Sequence, residues 1–149
     1  MRAHCLAVAV FLLATPALAA DIGLIKVAAG TVHIERDGAK VKAEVGSGVR
    51  ASDVLHTGAD GSAGVTFTDN SLMSIGPNTV FAINKYRFDS TTHAGEFDGT
   101  LKQGRLAAIS GKMVKQSPES MKIRTPSAVM GVRGTEFVVQ VDEPVAASR

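Results

Sequence analysis

Apolar and polar side chains alternate in a series of short runs along this chain. The runs cover residues 31–36, 63–67, 73–75, 79–86, 121–124 and 137–141, with apolar residues at alternate positions. An alternation with a period of two is typical of β-strands that bury one face. Glycine and Asx-Gly turn signals separate the runs, and no stretch sustains the i, i+3, i+4, i+7 apolar pattern of a helix. We therefore predict an all-β fold, a meander of short strands, with little or no helix after the N-terminal segment.

The first nineteen residues have the three parts of an export signal. Arg2 supplies a positive charge, residues 6–14 are apolar but too few to span a bilayer, and Ala17-Leu18-Ala19 is a small-x-small cleavage site. We predict a signal-peptide helix over residues 1–19 that is cleaved off, with Ala20 as an alternative end. No second apolar segment long enough to span a membrane follows. We therefore expect a periplasmic or secreted product without a membrane span.

Cleavage also changes the charge balance and the thiol content of the chain. The single cysteine, Cys5, leaves with the signal, and the loss of Arg2 leaves 15 basic residues against 14 acidic ones. Such a balance gives no electrostatic footprint for nucleic acid, so we exclude that class of partner. The remaining 130 residues are enough to fold around one core without a disulfide. We predict one compact domain over residues 20–141 and a C-terminal tail over residues 142–149.

The segment 125–141, TPSAVMGVRGTEFVVQV, has the most distinctive pattern of the chain. Thr125 precedes Pro126 and is therefore restricted to an extended conformation, which fits the end of a strand over residues 121–124. Ala128 lies in a short run of small apolar residues. Gly131 and Gly134 allow a bend before the last strand.

This segment resembles the closing signature of the FecR-domain family, T-P-x-A-x-x-G-V-R-G-T-x-F. The matching residues are Thr125, Pro126, Ala128, Gly131, Val132, Arg133, Gly134, Thr135 and Phe137. Earlier blocks, within residues 30–38, 49–58, 61–71, 77–79 and 101–106, are similar to the family in order and spacing, so the resemblance extends over residues 23–141. Asn70 stands where the family commonly has glycine, and asparagine tolerates the left-handed conformation that such a turn requires.

The resemblance implies a periplasmic all-β module that transmits or receives envelope signals by protein contact, with its strands coiled into a β-roll or a solenoid-like stack. Family members in iron uptake join this domain to a membrane helix and a cytoplasmic segment that controls a sigma factor. Here a cleavable signal replaces both, so we do not expect direct sigma-factor control. We expect a non-enzymatic sensor or adaptor whose partner is a membrane receptor or transporter. The alternative is a structural envelope protein that self-associates through strand edges; the oligomeric state stays open.

Arg133 has two interpretations. In the structural one, its guanidinium satisfies carbonyls or pairs with a carboxylate such as Glu136 or Asp53 and fastens the last strand. In the functional one, Arg133, Gly134, Thr135 and Glu136 form a binding site for an anionic group on a partner.

No catalytic or metal site is expected from the sequence. The chain lacks a Gly-x-Ser-x-Gly elbow and a phosphate-binding loop. Asp53 and Asp69 lie in turn sequences, where short carboxylates normally cap backbone amides. His33, His56 and His93 lack the spacing of a zinc site. We therefore predict no metal and no cofactor, and the absence of tryptophan argues against a glycan platform.

Two other surfaces are candidates for recognition. Lys112 and Lys115, with Lys102 and Arg105, could form an anionic-partner patch, although a solvated face is the favoured interpretation because the overall charge is close to neutral. Residues 86–99 are irregular in pattern, and we predict an exposed hairpin tip or loop there.

Overall fold

The computed structural model describes residues 19–142, which form strands and one short helix. The strands are β1 (Gly23–Ala29), β2 (Val32–Arg36), β3 (Ala39–Lys42), β4 (Gly48–Val49), β5 (Val54–Thr57), β6 (Ser62–Phe67), β7 (Leu72–Ile75), β8 (Val80–Phe88), β9 (Gly95–Ile109), β10 (Met121–Arg124), β11 (Val129–Gly131) and β12 (Glu136–Val141), and the helix is α1 (Lys112–Gln116). With 56% strand and 4% helix, the all-β prediction is confirmed. The predicted signal peptide and C-terminal tail lie almost wholly outside the described residues.

The strands form one curled sheet, a half-barrel. The order along its main path is β3-β2-β5-β8-β9-β7-β6-β1-β4; β10 and β12 also pair with β9, and β11 pairs with β10. Neighbours are antiparallel except for β9 and β10, which run parallel. The long strand β9 pairs with β8 over residues 95–103 and with β7 over residues 106–109, so it joins two halves. We call the part with β1, β4, β6, β7 and β12 half A, and the part with β2, β3, β5, β8, β10 and β11 half B.

The core lies where the inner faces of the two halves meet. Phe67 of half A packs against Tyr86 of β8 at 5.5 Å and against Phe97 of β9 at 5.3 Å between ring centroids. All three side chains are buried. Alternation along each strand sends one set of residues inward and the other to solvent, as in β6, where Ala63, Val65 and Phe67 point into the core. Each buried phenylalanine stabilises the fold by roughly 2–3 kcal/mol.

Hydrogen bonds hold the corner where the chain passes between the halves. Thr57 Oγ1 donates to Gly76 O at 2.6 Å and accepts from Thr79 N at 2.9 Å. Thr79 Oγ1 in turn accepts from Arg105 N at 3.1 Å. Strand β9 bends beside them because Gly104 has φ +93°, and a Cβ at that position would collide with Thr79. Three segments distant in sequence are therefore fixed at one corner.

Two turns adopt conformations that the sequence indicated. Asp37 and Gly38, the two residues between β2 and β3, have φ +52° and +80°, as a type I′ hairpin turn requires. Asn70 has φ +65°, so this asparagine does keep a left-handed turn where the family commonly has glycine.

The segment 86–99, predicted to be an exposed hairpin tip or loop, is a hairpin whose tip is shorter than predicted. Strand β8 continues to Phe88 and β9 begins at Gly95, so only residues 89–94 connect the two strands. Tyr86 and Phe97 lie in the core and pack against each other at 5.8 Å. Polar residues alternate with these aromatics, so the sequence pattern did not show how far the two strands extend.

Candidate functional site

The family signature begins in the turn between β10 and β11. Thr125 ends the pairing of the two strands: its N–H donates to Ala128 O at 2.8 Å, and its Oγ1 accepts from Ala128 N at 3.1 Å. Pro126 and Ala128 are exposed. The proline cannot donate a hydrogen bond, which the turn does not need at that position. These motif residues therefore build a tight hairpin at the surface.

Residues 131–136, which we call the Arg133 bend, carry the chain from β11 in half B to β12 in half A. Val132 anchors the bend: its side chain is buried, and its N–H donates to Met121 O at 3.0 Å. Ser110, also buried, donates from N to Thr135 O at 2.8 Å and from Oγ to Gly134 O. Gly134 has φ +126°, which a residue with a side chain rarely adopts. The backbone of the bend is thus fixed without help from the arginine.

The Arg133 side chain points into solvent and forms a surface ion pair. Its Nη2 lies 2.6 Å from Glu119 Oε1, and the two side chains are 74% and 77% exposed. The structure therefore pairs Arg133 with neither Glu136 nor Asp53, the two carboxylates suggested by the sequence. An ion pair this exposed contributes at most about 1 kcal/mol.

The rest of the bend is also accessible. Gly131, Gly134, Thr135 and Glu136 are all exposed. An apolar cleft of about 150 Å³ lies beside them, lined by side chains such as Ile123, Met130, Phe137 and Val139. The bend thus combines an exposed cation and an exposed carboxylate with an apolar cleft, which is chemistry suited to contact with another protein.

Asp53, which the sequence places in a turn, is buried in an ion pair with Arg36. The guanidinium is bidentate, with Nε 2.8 Å from Oδ1 and Nη2 2.6 Å from Oδ2, and Arg50 N donates to Oδ2 at 2.8 Å. The hydrogen bond to Asp53 raises the pKa of Arg36. This pair fastens β2 to the turn before β5.

Asp69 is the centre of a second buried network. Ser71 donates to it twice, from N at 3.0 Å and from Oγ at 2.6 Å, and Tyr86 donates from its hydroxyl to Oδ1 at 3.3 Å. Gly111 N completes the network by donating to Ser71 Oγ at 3.0 Å. Burial raises the pKa of Tyr86 to about 12. The carboxylate connects the β6–β7 turn with β8 and with the start of α1.

The fold brings two of the three histidines together, which their spacing in sequence did not indicate. His33 and His56 are cross-strand partners in β2 and β5, and His56 Nε2 lies 2.8 Å from Glu35 Oε2. His93 lies apart from them, in the β8–β9 connection. Within residues 19–142, no group of three or more His, Cys, Asp or Glu side chains is arranged to hold a metal ion.

The residues of the predicted basic patch lie on two elements. Lys102 and Arg105 lie on β9, and Lys112 and Lys115 lie on α1. All four side chains are exposed.

Comparison with known proteins adds one finding to this geometry. The family model described as FecR protein matches residues 53–148, well over half of the chain, and includes the Arg133 bend. Strands β1 to β4 precede the matched residues. No curated protein and no solved structure is detectably similar to the chain. In the described part of the chain, no helix has the length and apolarity needed to cross a membrane. On the family match, this chain belongs to the FecR family.

Proposed function

We propose that this chain is a non-enzymatic binding module, a sensor or adaptor that contacts a membrane receptor or transporter in envelope signalling or transport regulation. FecR proteins generally take part in envelope signalling with membrane partners, and their FecR domains are generally periplasmic. The proposed location is accordingly the periplasm, reached through the signal over residues 1–19.

The observation that carries this proposal is that the Arg133 bend is anchored by buried residues and presents exposed ones. Val132 and Ser110 hold the bend to the core, whereas Arg133, Thr135 and Glu136 are exposed. A cation that contributes little to the fold is free to exchange Glu119 for an anionic group on a partner. The geometry thus supports the functional interpretation of Arg133 over the structural one.

The absence of enzymatic activity is part of the proposal. Asp53 is bound by Arg36 and a turn amide, and Asp69 by Ser71 and Tyr86. Carboxylates held in this way serve the fold, because a general base needs a free lone pair facing a substrate.

In-cell photocrosslinking tests the proposal. A photoreactive residue replaces Thr135, which is exposed in the bend, and the matched control carries it at Ala94, which is exposed in the β8–β9 connection. Mass spectrometry of membrane and periplasmic fractions then identifies the crosslinked proteins. We expect one membrane receptor or transporter from position 135 and none from position 94. Identical products from both positions, or no envelope protein from position 135, would refute the proposed contact.

A further inference from the structure

Strand β12 has an unprotected edge. Within residues 19–142 it pairs with β9 on one side and with no strand on the other. Its six residues, EFVVQV, include no lysine and no proline. The other edge strands are short, as β4 and β11 are, or carry lysines, as β3 (AKVK) does. Because shortness, charge and proline normally keep edges from pairing, β12 is the edge suited to accept another strand.

The ladder with β9 determines which backbone groups of β12 point away from the sheet. Ser110 N donates to Thr135 O, so these two residues form a hydrogen-bonded pair. The next pair, Ile109 with Glu136, is therefore a non-hydrogen-bonded pair. The alternation continues along β12. It directs the N–H and C=O groups of Glu136, Val138 and Gln140 towards the free edge.

We propose that a second copy of this chain occupies this edge, with the two β12 strands antiparallel about a two-fold axis at Val138. In this register Val138 pairs with Val138 of the other copy, and Glu136 pairs with Gln140 at both ends. Three hydrogen-bonded pairs give about six backbone hydrogen bonds. The carboxylate of Glu136 then faces the amide of Gln140, whose present bond to Asp142 is exposed and exchangeable.

Alternative registers are less favourable. With the axis at Val139, only two hydrogen-bonded pairs form, and Glu136 lies opposite Asp142. Two carboxylates that face each other across strands repel. The side chains at the two ends of β12 therefore favour the axis at Val138 over the axis at Val139.

The same register supplies charge complementarity beyond the strand ends. Asp142 of one copy lies opposite Gly134 of the other, one residue from the exposed Arg133. This occurs twice, because the two-fold axis repeats every contact. A carboxylate one position along the ladder from this exposed arginine is the reason to infer a second copy as the occupant, and not an unrelated strand.

In the proposed dimer, the outer faces of half A in the two copies are continuous across the paired β12 strands. Leu72, Ile109 and Val138 are 45%, 46% and 52% exposed on this face. The first two line an apolar groove of about 470 Å³, and Ala107, the cross-strand neighbour of Val138, also lines it. A two-fold axis perpendicular to the sheet keeps both outer faces on one side. The Val138 side chains then meet, and the two grooves join into one apolar strip.

Sedimentation equilibrium of the purified full chain tests the dimer. We expect the wild type to be a dimer that dissociates on dilution and Val138→Pro to be a monomer, because proline removes an outward N–H without affecting a bond to β9. The matched control, Lys40→Pro, changes the free edge of β3 and leaves dimerisation unchanged. A wild-type protein that is monomeric at all concentrations, or a Val138→Pro dimer of unchanged affinity, would overturn the proposal.

A charge exchange provides a second test that does not depend on proline. Arg133→Glu should weaken dimerisation about tenfold, since two surface ion pairs become repulsive. Adding Asp142→Arg to the same chain should restore the affinity, because the pairs reform with reversed signs. Failure of the double variant to recover would contradict the register. The dimer does not rest on the proposed function, because pure protein suffices for both tests.

Discussion

At the scale of single residues, the buried polar side chains are the ones that hold the fold. Asp53 with Arg36 and Asp69 with Tyr86 connect strands to neighbouring turns, whereas Arg133, the most prominent charge of the signature, lies at the surface. The sequence placed both aspartates in turns, and the structure agrees. It could not identify Arg36, Tyr86 or Glu119 as partners, because these pairs join residues 14 to 17 positions apart through the tertiary fold.

Removal of the Asp53 charge should destabilise the protein. We expect Asp53→Asn to lower the free energy of unfolding by about 2–3 kcal/mol, because the guanidinium of Arg36 loses its counter-ion in a largely buried setting. The control is Asp98→Asn, which breaks the more exposed bidentate pair with Arg124 and should cost less than about 1 kcal/mol. Urea unfolding measures the free energy of unfolding of both variants. Equal losses would show that burial does not distinguish the two pairs.

Tyr86 should titrate far above its usual range. The chain contains one tyrosine, so tyrosinate absorbance reports this residue alone. Burial raises its folded pKa to about 12, whereas the unfolded value is about 10. The neutral form is thus favoured by folding; its contribution to stability is complete below about pH 10 and disappears as the pH rises through about 12.

The measurement is a spectrophotometric titration of the folded protein, with the chain in concentrated urea as the reference. We expect a midpoint about two pH units higher in the folded protein, accompanied by alkaline unfolding. Coincident midpoints in the folded and unfolded chains would show that the Tyr86 hydroxyl is accessible to water.

At the scale of elements, period-two alternation predicted the strands whose inner face is plainly apolar, including β2, β6, β10 and β12. It missed β1, where a bulge between Ile25 and Val27 breaks the alternation. It also missed β9, which contains Gly95, Gly99 and Gly104 and changes neighbours midway. The register of pairing could not be predicted, because it depends on contacts between distant strands.

The bend of β9 depends on Gly104. Alanine at this position would place a Cβ against Thr79 while the backbone keeps φ +93°, so Gly104→Ala should cost about 3 kcal/mol or more. Gly131→Ala is the matched control: no atom lies within 4 Å of a Cβ there, and its φ is not positive, so a change within about 0.5 kcal/mol is expected. Thermal and urea unfolding measure the stability of both variants. A Gly104→Ala protein as stable as the wild type would refute the role of this corner.

At the scale of the whole molecule, the signature has a part that builds the fold and a part that is exposed. The fold-building part consists of Thr125 and Ala128, which close the β10–β11 hairpin, and Val132, which anchors the crossing between the halves. In the described residues the Arg133 side chain forms one exposed ion pair, with Glu119, and the proposed contact with another molecule would account for its place in the signature. The sequence indicated the family and the bend, but only the sheet order shows that the bend leads into an edge without a partner strand among residues 19–142.

The two proposed contacts share Arg133 and are therefore coupled. An envelope partner that binds Arg133 competes with Asp142 of a second copy, so partner binding should favour the monomer. In the Val138→Pro background the bend is free of the second copy. Crosslinks to an envelope partner can then be separated from crosslinks between copies.

The most direct test of the central claim is the yield of the Thr135 crosslink to its membrane partner in Val138→Pro chains that carry either Arg133 or Arg133→Met. Urea unfolding serves as the control and should place the two proteins within about 1 kcal/mol of each other. We predict that Arg133→Met loses most of the crosslink while it remains folded. An unchanged crosslink yield, or a loss that accompanies the loss of cooperative unfolding, would contradict the assignment of Arg133 as a contact residue.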